Sequence, residues 1–147
     1  MNDDEIRECI DPSLREKYFE RVKNIQSAPY SRLNNVIIES VNEKEVRTRM
    51  SLENKTNSLG YAHGAAVFAI ADDTFAVAAN LSGDMQIALS GNIIFHRPSV
   101  GKELTAVSSK INETRSVSTY EVKVSCDGKH TATATFVGFK IKGSIGE

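Results

Sequence analysis

An alanine-rich and almost wholly apolar segment, residues 62–80, constrains the fold of this chain more than any other feature. Its sequence is AHGAAVFAIADDTFAVAAN, which places small or apolar residues on nearly every side of a helix. A helix that is apolar all round is buried in a core. Because alanine side chains allow close approach, we expect other elements to wrap around this helix.

Strand-like patterns lie on both sides of that segment. Residues 36–41 are rich in β-branched side chains, and residues 46–52 alternate between apolar and polar, which predicts a hairpin with one solvent-facing side. Four more strands are predicted at about 86–97, 102–112, 117–126 and 130–142. This order predicts an α+β fold, an antiparallel sheet of about five to six strands around one long helix.

The N-terminal region has the signature of a separate covering helix. Asp11 is placed as its N-cap and Pro12 as its first residue, where a missing N–H costs nothing. Its apolar stripe consists of Leu14, Tyr18, Val22 and Ile25. We therefore predict an N-terminal helical extension over 1–30, ending in a loop near residues 28–30, and a main domain over 31–147.

The composition is that of one ordinary globular domain. The chain has 147 residues, of which 40% are hydrophobic and 25% charged, with a formal net charge of −1. That balance predicts no general attraction to nucleic acid or to an anionic membrane. The acidic N-terminus resembles no secretory signal and no apolar run is long enough to span a bilayer, so a cytoplasmic protein is expected.

Cysteine and histidine spacing predicts neither a metal site nor a cofactor. Cys9 and Cys126 are far apart and belong to no metal-binding pattern, and we expect both to be reduced. His96 and His130 are interpreted as strand residues.

Two adjacent carboxylates interrupt the apolar segment. Asp72 and Asp73 lie among large apolar residues, where a carboxylate facing the core costs several kcal/mol unless it is paired or protonated. Successive helical residues point about 100° apart, so at least one of the two must leave the central packing surface. Either one face of the helix is solvated or bonded to local backbone, or one carboxylate is functional.

The residues before this helix suit an anion or a polarised carbonyl. Gly64 lies beside the expected helix start, where unpaired N–H groups and the positive end of the helix dipole point at a ligand. Asn57 and His63 precede it, and each alone could simply stabilise the loop or cap the helix.

Helix geometry then separates these groups. Asp72 follows His63 by nine positions, which corresponds to about 13 Å along a helix. One chain therefore cannot bring both Asp72 and the Gly64 N–H to the same carbonyl. If both act on one atom, two copies must pair about a two-fold axis, which predicts a homodimer with two equivalent sites.

The run N-x-L-G-x-x-H-G-A-x-x-F-x-x-A-D, from Asn57 to Asp72, resembles the active-site segment of the hotdog-fold acyl-CoA thioesterases of the PaaI type. The segment NIIFHRP, Asn92 to Pro98, is similar to a long strand of that family that ends before a proline turn. The resemblance covers roughly residues 33–142. It implies a sheet wrapped around one long helix and the hydrolysis of acyl-CoA thioesters.

The resemblance also implies roles for individual residues. Asp72 would be the general base or nucleophile, and the Gly64 N–H would polarise the thioester carbonyl from the partner subunit. Asn57 would position the thioester or the water, His63 would orient the loop, and Phe68 would contribute to the acyl pocket. Acyl-CoA is the implied partner, together with self-association as a homodimer or homotetramer.

Coenzyme A would require a local group of basic and hydroxyl residues for its phosphates. The candidates lie at strand ends and turns, and any one of them could equally be a solvated surface residue. They are Arg97, Lys102, Thr114, Arg115 and Ser116.

Two departures from the family pattern keep alternatives open. Asp73 follows the catalytic position, where a small or hydroxyl residue is more usual, and Ala88 stands where several relatives carry Ser or Thr. Ser90 could replace that hydroxyl only if no β-bulge intervenes. A non-catalytic acyl-CoA-binding protein is therefore an alternative. A hotdog hydratase is a weaker one, because its Asp and His lie about five residues apart and here nine separate them.

Overall fold

The computed structural model describes residues 1–81 and 83–141, which form four helices and six strands. The helices are α1 (Asp3–Cys9), α2 (Pro12–Gln26), α3 (Pro29–Asn34) and α4 (Gly64–Ala79). The strands are β1 (Val36–Val41), β2 (Glu45–Ser51), β3 (Met85–Phe95), β4 (Glu103–Glu113), β5 (Val117–Cys126) and β6 (Lys129–Ile141). In the described part of the chain, no helix has the length and hydropathy needed to cross a bilayer.

The six strands form one antiparallel sheet in the order β1-β2-β4-β5-β6-β3. Helix α4 lies in its concave face and contacts all six strands. Its small residues pack in one core with inward-facing residues of the sheet, among them Leu104, Val122, Ala134 and Phe136. The predicted α+β arrangement of a sheet around one long helix is confirmed.

The N-terminal region is more helical than its sequence pattern predicts. Helix α1 begins with a capping box between Asn2 and Glu5, and α3 replaces the loop expected near residues 28–30, with Pro29 as its first residue. Helix α2 has the predicted N-cap and first residue, Asp11 and Pro12. Short helices of this kind carry too few turns for a hydrophobic period to be visible in the sequence.

The N-terminal helices cover the side of the sheet that carries β1. Side chains of α1 and α2, including Ile6 and Val22, form a second apolar core with Val41 and Val77. Val77 belongs to α4, so the central helix is buried between the sheet on one side and α2 on the other.

Strand β3 passes very close to aromatic side chains at Gly91. A Cβ atom built on Gly91 would lie 2.7 Å from Cε1 of Phe136 and 3.3 Å from Cζ of Phe68. The two rings pack on each other with centroids 5.5 Å apart. The absence of a side chain at residue 91 therefore lets β3 close over the aromatic core.

We expect Gly91→Ala to lower the free energy of unfolding by about 1–3 kcal/mol, because the new methyl group must displace a packed ring. Gly64→Ala is the matched control, since a Cβ there would lie 3.5 Å from Cζ of Phe95, an ordinary contact distance. Urea denaturation measures both changes. Equal stabilities for the two variants would show that Phe136 does not confine Gly91.

Candidate active site

The N-terminus of α4 leaves one backbone donor unused. His63 is the N-cap, and its Nδ1 accepts a hydrogen bond of 3.0 Å from the Ala65 N–H. The His63 carbonyl accepts from the N–H groups of Ala66 and Val67. Within the described residues, nothing accepts from the Gly64 N–H, which is therefore available to a ligand.

A cavity of about 410 Å³ opens in front of this helix start. It is bounded by the loop before α4, by the end of β3 and by the residues that follow β3. Its lining includes Asn57, Tyr61, Gly64, Phe95 and Arg97. Because Gly64 has no side chain, its backbone faces the cavity directly beside the Phe95 ring.

Asn57 organises the loop that borders this cavity. Its Oδ1 accepts from the Leu59 N–H at 2.9 Å and from the Tyr61 N–H at 3.1 Å, and its own N–H donates to the Tyr61 carbonyl at 2.7 Å. The side-chain NH₂ group has no acceptor among the residues that the structure describes. Asn57 thus supports the loop with its oxygen and keeps two donors for a ligand.

The two adjacent carboxylates diverge. Asp73 turns towards α3, where its Oδ1 accepts a hydrogen bond of 2.9 Å from Ser31, while Oδ2 is buried without a partner among the described residues. Asp72 has neither a hydrogen bond nor an ion pair in the described structure and is partly buried. No local pattern predicts this role for Ser31, because it lies 42 residues from Asp73 and next to the predicted loop at residues 28–30.

Asp72 faces the side of α4 that carries β3. Residues four apart share one face of a helix, and Phe68, four residues before Asp72, packs against Phe136 and beside Gly91 of β3. Burial raises the pKa of Asp72 above its ordinary value. Eight residues of helix separate Asp72 from Gly64, about 12 Å, so the two groups do not meet within one chain.

A β-bulge in β3 determines whether Ser90 shares the sheet face of Ala88. Ala88 pairs with Gly138 and Ser90 pairs with the preceding residue, Val137, so that Leu89 is the extra residue. Val137 and Gly138 are consecutive residues of β6, so they and the β3 residues paired with them face opposite sides of the sheet. Ser90 therefore does not share the face of Ala88 and does not supply the hydroxyl missing there.

The candidate coenzyme A residues lie at two opposite ends of the sheet. Arg97 lies beside the start of β6, where its N–H bonds the Thr131 carbonyl, and Lys102 lies at the same end beside Asp127. Residues 114–116 form the β4–β5 turn beside Lys140, about 30 Å further along β6. Within one chain, these residues cannot contact the same small ligand.

Two histidines lie close together outside α4. Nε2 of His96 lies 2.8 Å from Oγ1 of Thr133, and Nε2 of His130 lies 3.0 Å from the same atom. His130 is in β6, as predicted, and His96 follows the last residue of β3. Across residues 1–81 and 83–141, no three His, Cys, Asp or Glu side chains are grouped so that they could hold a metal ion.

The sequence model of the thioesterase superfamily matches residues 59–133, about half of the chain and the part that contains α4 and most of the sheet. The chain belongs to the thioesterase superfamily. A relative from Deinococcus radiodurans named "Putative esterase" is 32% identical over 94 residues. That match spans 62% of this thioesterase-superfamily chain and 64% of the relative, so the chain spans less than two thirds of the relative's length.

Solved structures of other proteins share the fold. The PaaI protein of the phenylacetic acid degradation operon of E. coli superposes with a TM-score of 0.81 at 22% identity, over 89% of this chain and 98% of that one. A hypothetical thioesterase from Streptococcus pneumoniae, solved with coenzyme A, superposes with a TM-score of 0.72 at 22% identity, over 81% and 95% of the two chains. The predicted PaaI-type hotdog fold is confirmed.

The buried Asp73 makes stability depend on pH. Burial and the nearby Asp72 charge raise the pKa of Asp73 from 3.8 to about 6, although the Ser31 hydrogen bond lowers it. Between pH 4 and 6 the folded protein therefore holds a proton that the unfolded chain releases, so the free energy of unfolding falls as pH rises.

We expect Asp73→Asn to remove this fall in the free energy of unfolding with rising pH. Relative to the native chain, the variant should gain about 2–3 kcal/mol of unfolding free energy between pH 4 and pH 7. Urea denaturation at several pH values measures this difference, with Asp84→Asn at an exposed site as the control. A difference that stays constant over this range would contradict the burial of an ionising Asp73.

Proposed function

We propose that this protein hydrolyses an acyl-CoA thioester to a carboxylic acid and coenzyme A. The observation that carries the proposal is that α4 holds two unused groups of complementary chemistry. One is the Gly64 N–H at the helix start, and the other is the unpaired, partly buried Asp72 carboxyl. Membership of the thioesterase superfamily supports the same reaction.

The two groups have different roles in the reaction. The Gly64 N–H, at the positive end of the helix dipole, donates to the thioester oxygen and stabilises the negative charge that develops there. Asp72 takes a proton from the attacking water, or attacks the carbonyl carbon itself. On the first route the water oxygen forms the new C–O bond as the C–S bond breaks, and its proton passes through Asp72 to the thiolate. On the second route the Asp72 oxygen forms that bond as the thiolate leaves. Water then hydrolyses the resulting mixed anhydride, which releases the carboxylic acid, frees Asp72 and supplies the proton for the thiolate. The raised pKa of Asp72 makes it a better base than an exposed aspartate.

The distance between these groups requires two subunits, and β3 offers the edge for pairing. Among the residues that the structure describes, no strand pairs with its outer edge along its eleven positions. The strand carries exposed apolar side chains, including Leu89 and Ile94, which are 64% and 59% exposed. Long apolar edges of this kind pair with other strands. Antiparallel pairing of two β3 strands brings Asp72 of one subunit towards Gly64 of the other.

The same pairing would assemble the coenzyme A site. A two-fold axis reverses the strand direction, so the 114–116 turn of one subunit comes to the sheet end that carries Arg97 and Lys102 of the other. Basic and hydroxyl groups then surround the phosphates from two sides. The coenzyme A held by the S. pneumoniae relative supports this class of ligand.

Pairing of dimers into a tetramer has a candidate surface on the convex side of the sheet. Ile87 and Phe139 are cross-strand partners there and are 51% and 41% exposed, with Val137 as a further apolar neighbour. Exposed apolar patches of this kind mark contact sites.

A specific observation also favours a non-catalytic acyl-CoA-binding protein. Ala88 supplies no hydroxyl to hold a water, and the bulge turns Ser90 to the other face. Tight binding of acyl-CoA without thiol release would support this alternative.

We expect Asp72→Asn to lower turnover by at least about two orders of magnitude without changing the oligomeric state. A thiol-release assay against short, medium, long-chain and aromatic acyl-CoAs measures the effect. Asp73→Asn is the matched control, because it removes a neighbouring carboxyl that bonds Ser31 instead, and it should retain turnover within about tenfold. Normal thiol release by Asp72→Asn would reject the mechanism.

The two-subunit site can be tested by complementation. Gly64→Pro removes the donor and adds a ring beside Phe95 in the cavity wall. The helix start tolerates this change, because proline is favoured at the first helical residue and His63 before it has a compatible backbone (φ −62°, ψ 137°). Gly64→Pro and Asp72→Asn should each be inactive. Dimers formed by co-expressing both should recover about a quarter of native activity, because half are mixed and each mixed dimer has one intact site. Failure to recover any activity in confirmed mixed dimers would place the site within one chain.

A further inference from the structure

A second cavity lies at the other end of α4, outside the candidate active site. Its volume is about 150 Å³, and it is bounded by α2, the β1–β2 turn, the C-terminal end of α4, β4 and β5. Ala78 in its wall is fourteen residues from Gly64, about 21 Å along the helix. It is also rotated about 120° around α4 from Asp72. The cavity is therefore separate from the groups proposed to act on the thioester.

The walls of this cavity divide into an apolar and a polar side. The apolar side consists of Leu14 of α2, Ala78 of α4 and Leu81. The polar side includes Ser108, Lys110 and Tyr120, whose side chains face the interior of the sheet. A ligand that fills the cavity must match both sides, with a hydrocarbon part and a polar part.

Ser108 is an unsatisfied polar group on the cavity floor. The residue is 0% exposed, and its Oγ has no hydrogen-bond partner in the described part of the chain. An unsatisfied buried hydroxyl lowers the stability of the folded state, and native structures keep few of them. A ligand oxygen would satisfy this group.

Lys110 is the inward-facing cation of the cavity wall, and beyond that wall it forms a group with Glu113 and Lys140 that carries one net positive charge. Glu113 accepts from both Lys110 and Lys140 at 2.7 Å, so one carboxylate is shared by two ammonium groups. Glu45 borders the cavity but alternates with the buried Val46, so its side chain faces the other side of the sheet. Glu43 and Lys44 in the turn carry opposite charges. The polar side is therefore suited to an anionic group.

We propose that this cavity binds a small amphiphilic carboxylic acid. The carboxylate accepts hydrogen bonds from the Lys110 ammonium and the Ser108 hydroxyl, and the carbon skeleton lies against Leu14, Ala78 and Leu81. A cavity of about 150 Å³ accommodates a benzene-sized group, which sets the scale at about six carbons. One ammonium and one hydroxyl are too few donors for a phosphate, whereas they match the two oxygens of a carboxylate.

The test is a titration of the full chain with sodium hexanoate, followed by ¹H–¹⁵N NMR. We expect saturable shifts around Leu14, Ala78 and Ser108, and no binding of hexylamine, whose charge is reversed. Lys110→Met should weaken hexanoate binding by at least about tenfold. Lys123→Met, at an exposed lysine of β5, should leave it unchanged.

Two further variants distinguish hexanoate binding in this cavity from a change in protein stability and from binding at the proposed active site. Ser108→Ala should weaken hexanoate binding while the ligand-free protein keeps or gains thermal stability, because an unsatisfied buried hydroxyl is removed. Asp72→Asn should leave hexanoate binding unchanged. The inference is overturned if hexanoate shows no saturable binding. It is also overturned if binding resists Lys110→Met, or if Asp72→Asn alters it. Because no thioester is used, these results do not depend on the proposed thioesterase activity.

Discussion

The burial of α4 on two sides is the constraint on which the rest of this structure depends. The helix is apolar around most of its circumference, so the sheet must cover one side and α2 the other. Small side chains make this possible, because they let β-strands and a second helix approach the same axis. The polar side chains of α4 are therefore few, and each must either form a hydrogen bond or have a function that compensates for its burial.

The two adjacent carboxylates show how differently that requirement is met. Asp73 is joined to α3 by Ser31 and helps to attach the N-terminal region to the core. Asp72 faces the β3 side without a partner in the described structure, and burial raises the pKa of both groups. Keeping an unpaired carboxyl in such a place costs stability, which is typical of a functional group.

The proposed active site, which needs groups from two subunits, lies on the same side of the molecule as the β3 edge of the sheet. The β1 edge is shielded in part by its bridge to Ile10, whereas β3 presents a long apolar edge. Asp72 faces that edge, and Phe95 at the end of β3 contacts the Gly64 backbone. A second subunit paired there would therefore complete the backbone hydrogen bonds and the proposed catalytic groups together. The second cavity, which has Ser108 on its floor, lies away from this edge, under α2.

The sequence by itself determined the elements that depend on local patterns. The apolar run located α4, strand alternation located the sheet, and the rise of a helix separated Gly64 from Asp72 by residue count alone. Only the tertiary structure decided that Asp73 bonds Ser31, that a bulge turns Ser90 away from Ala88, and that Arg97 and the 114–116 turn lie at opposite ends of the sheet. It also revealed the cavity at Ser108. These features arise from contacts between residues far apart in the chain, and local periodicity carries no information about which distant side chains meet.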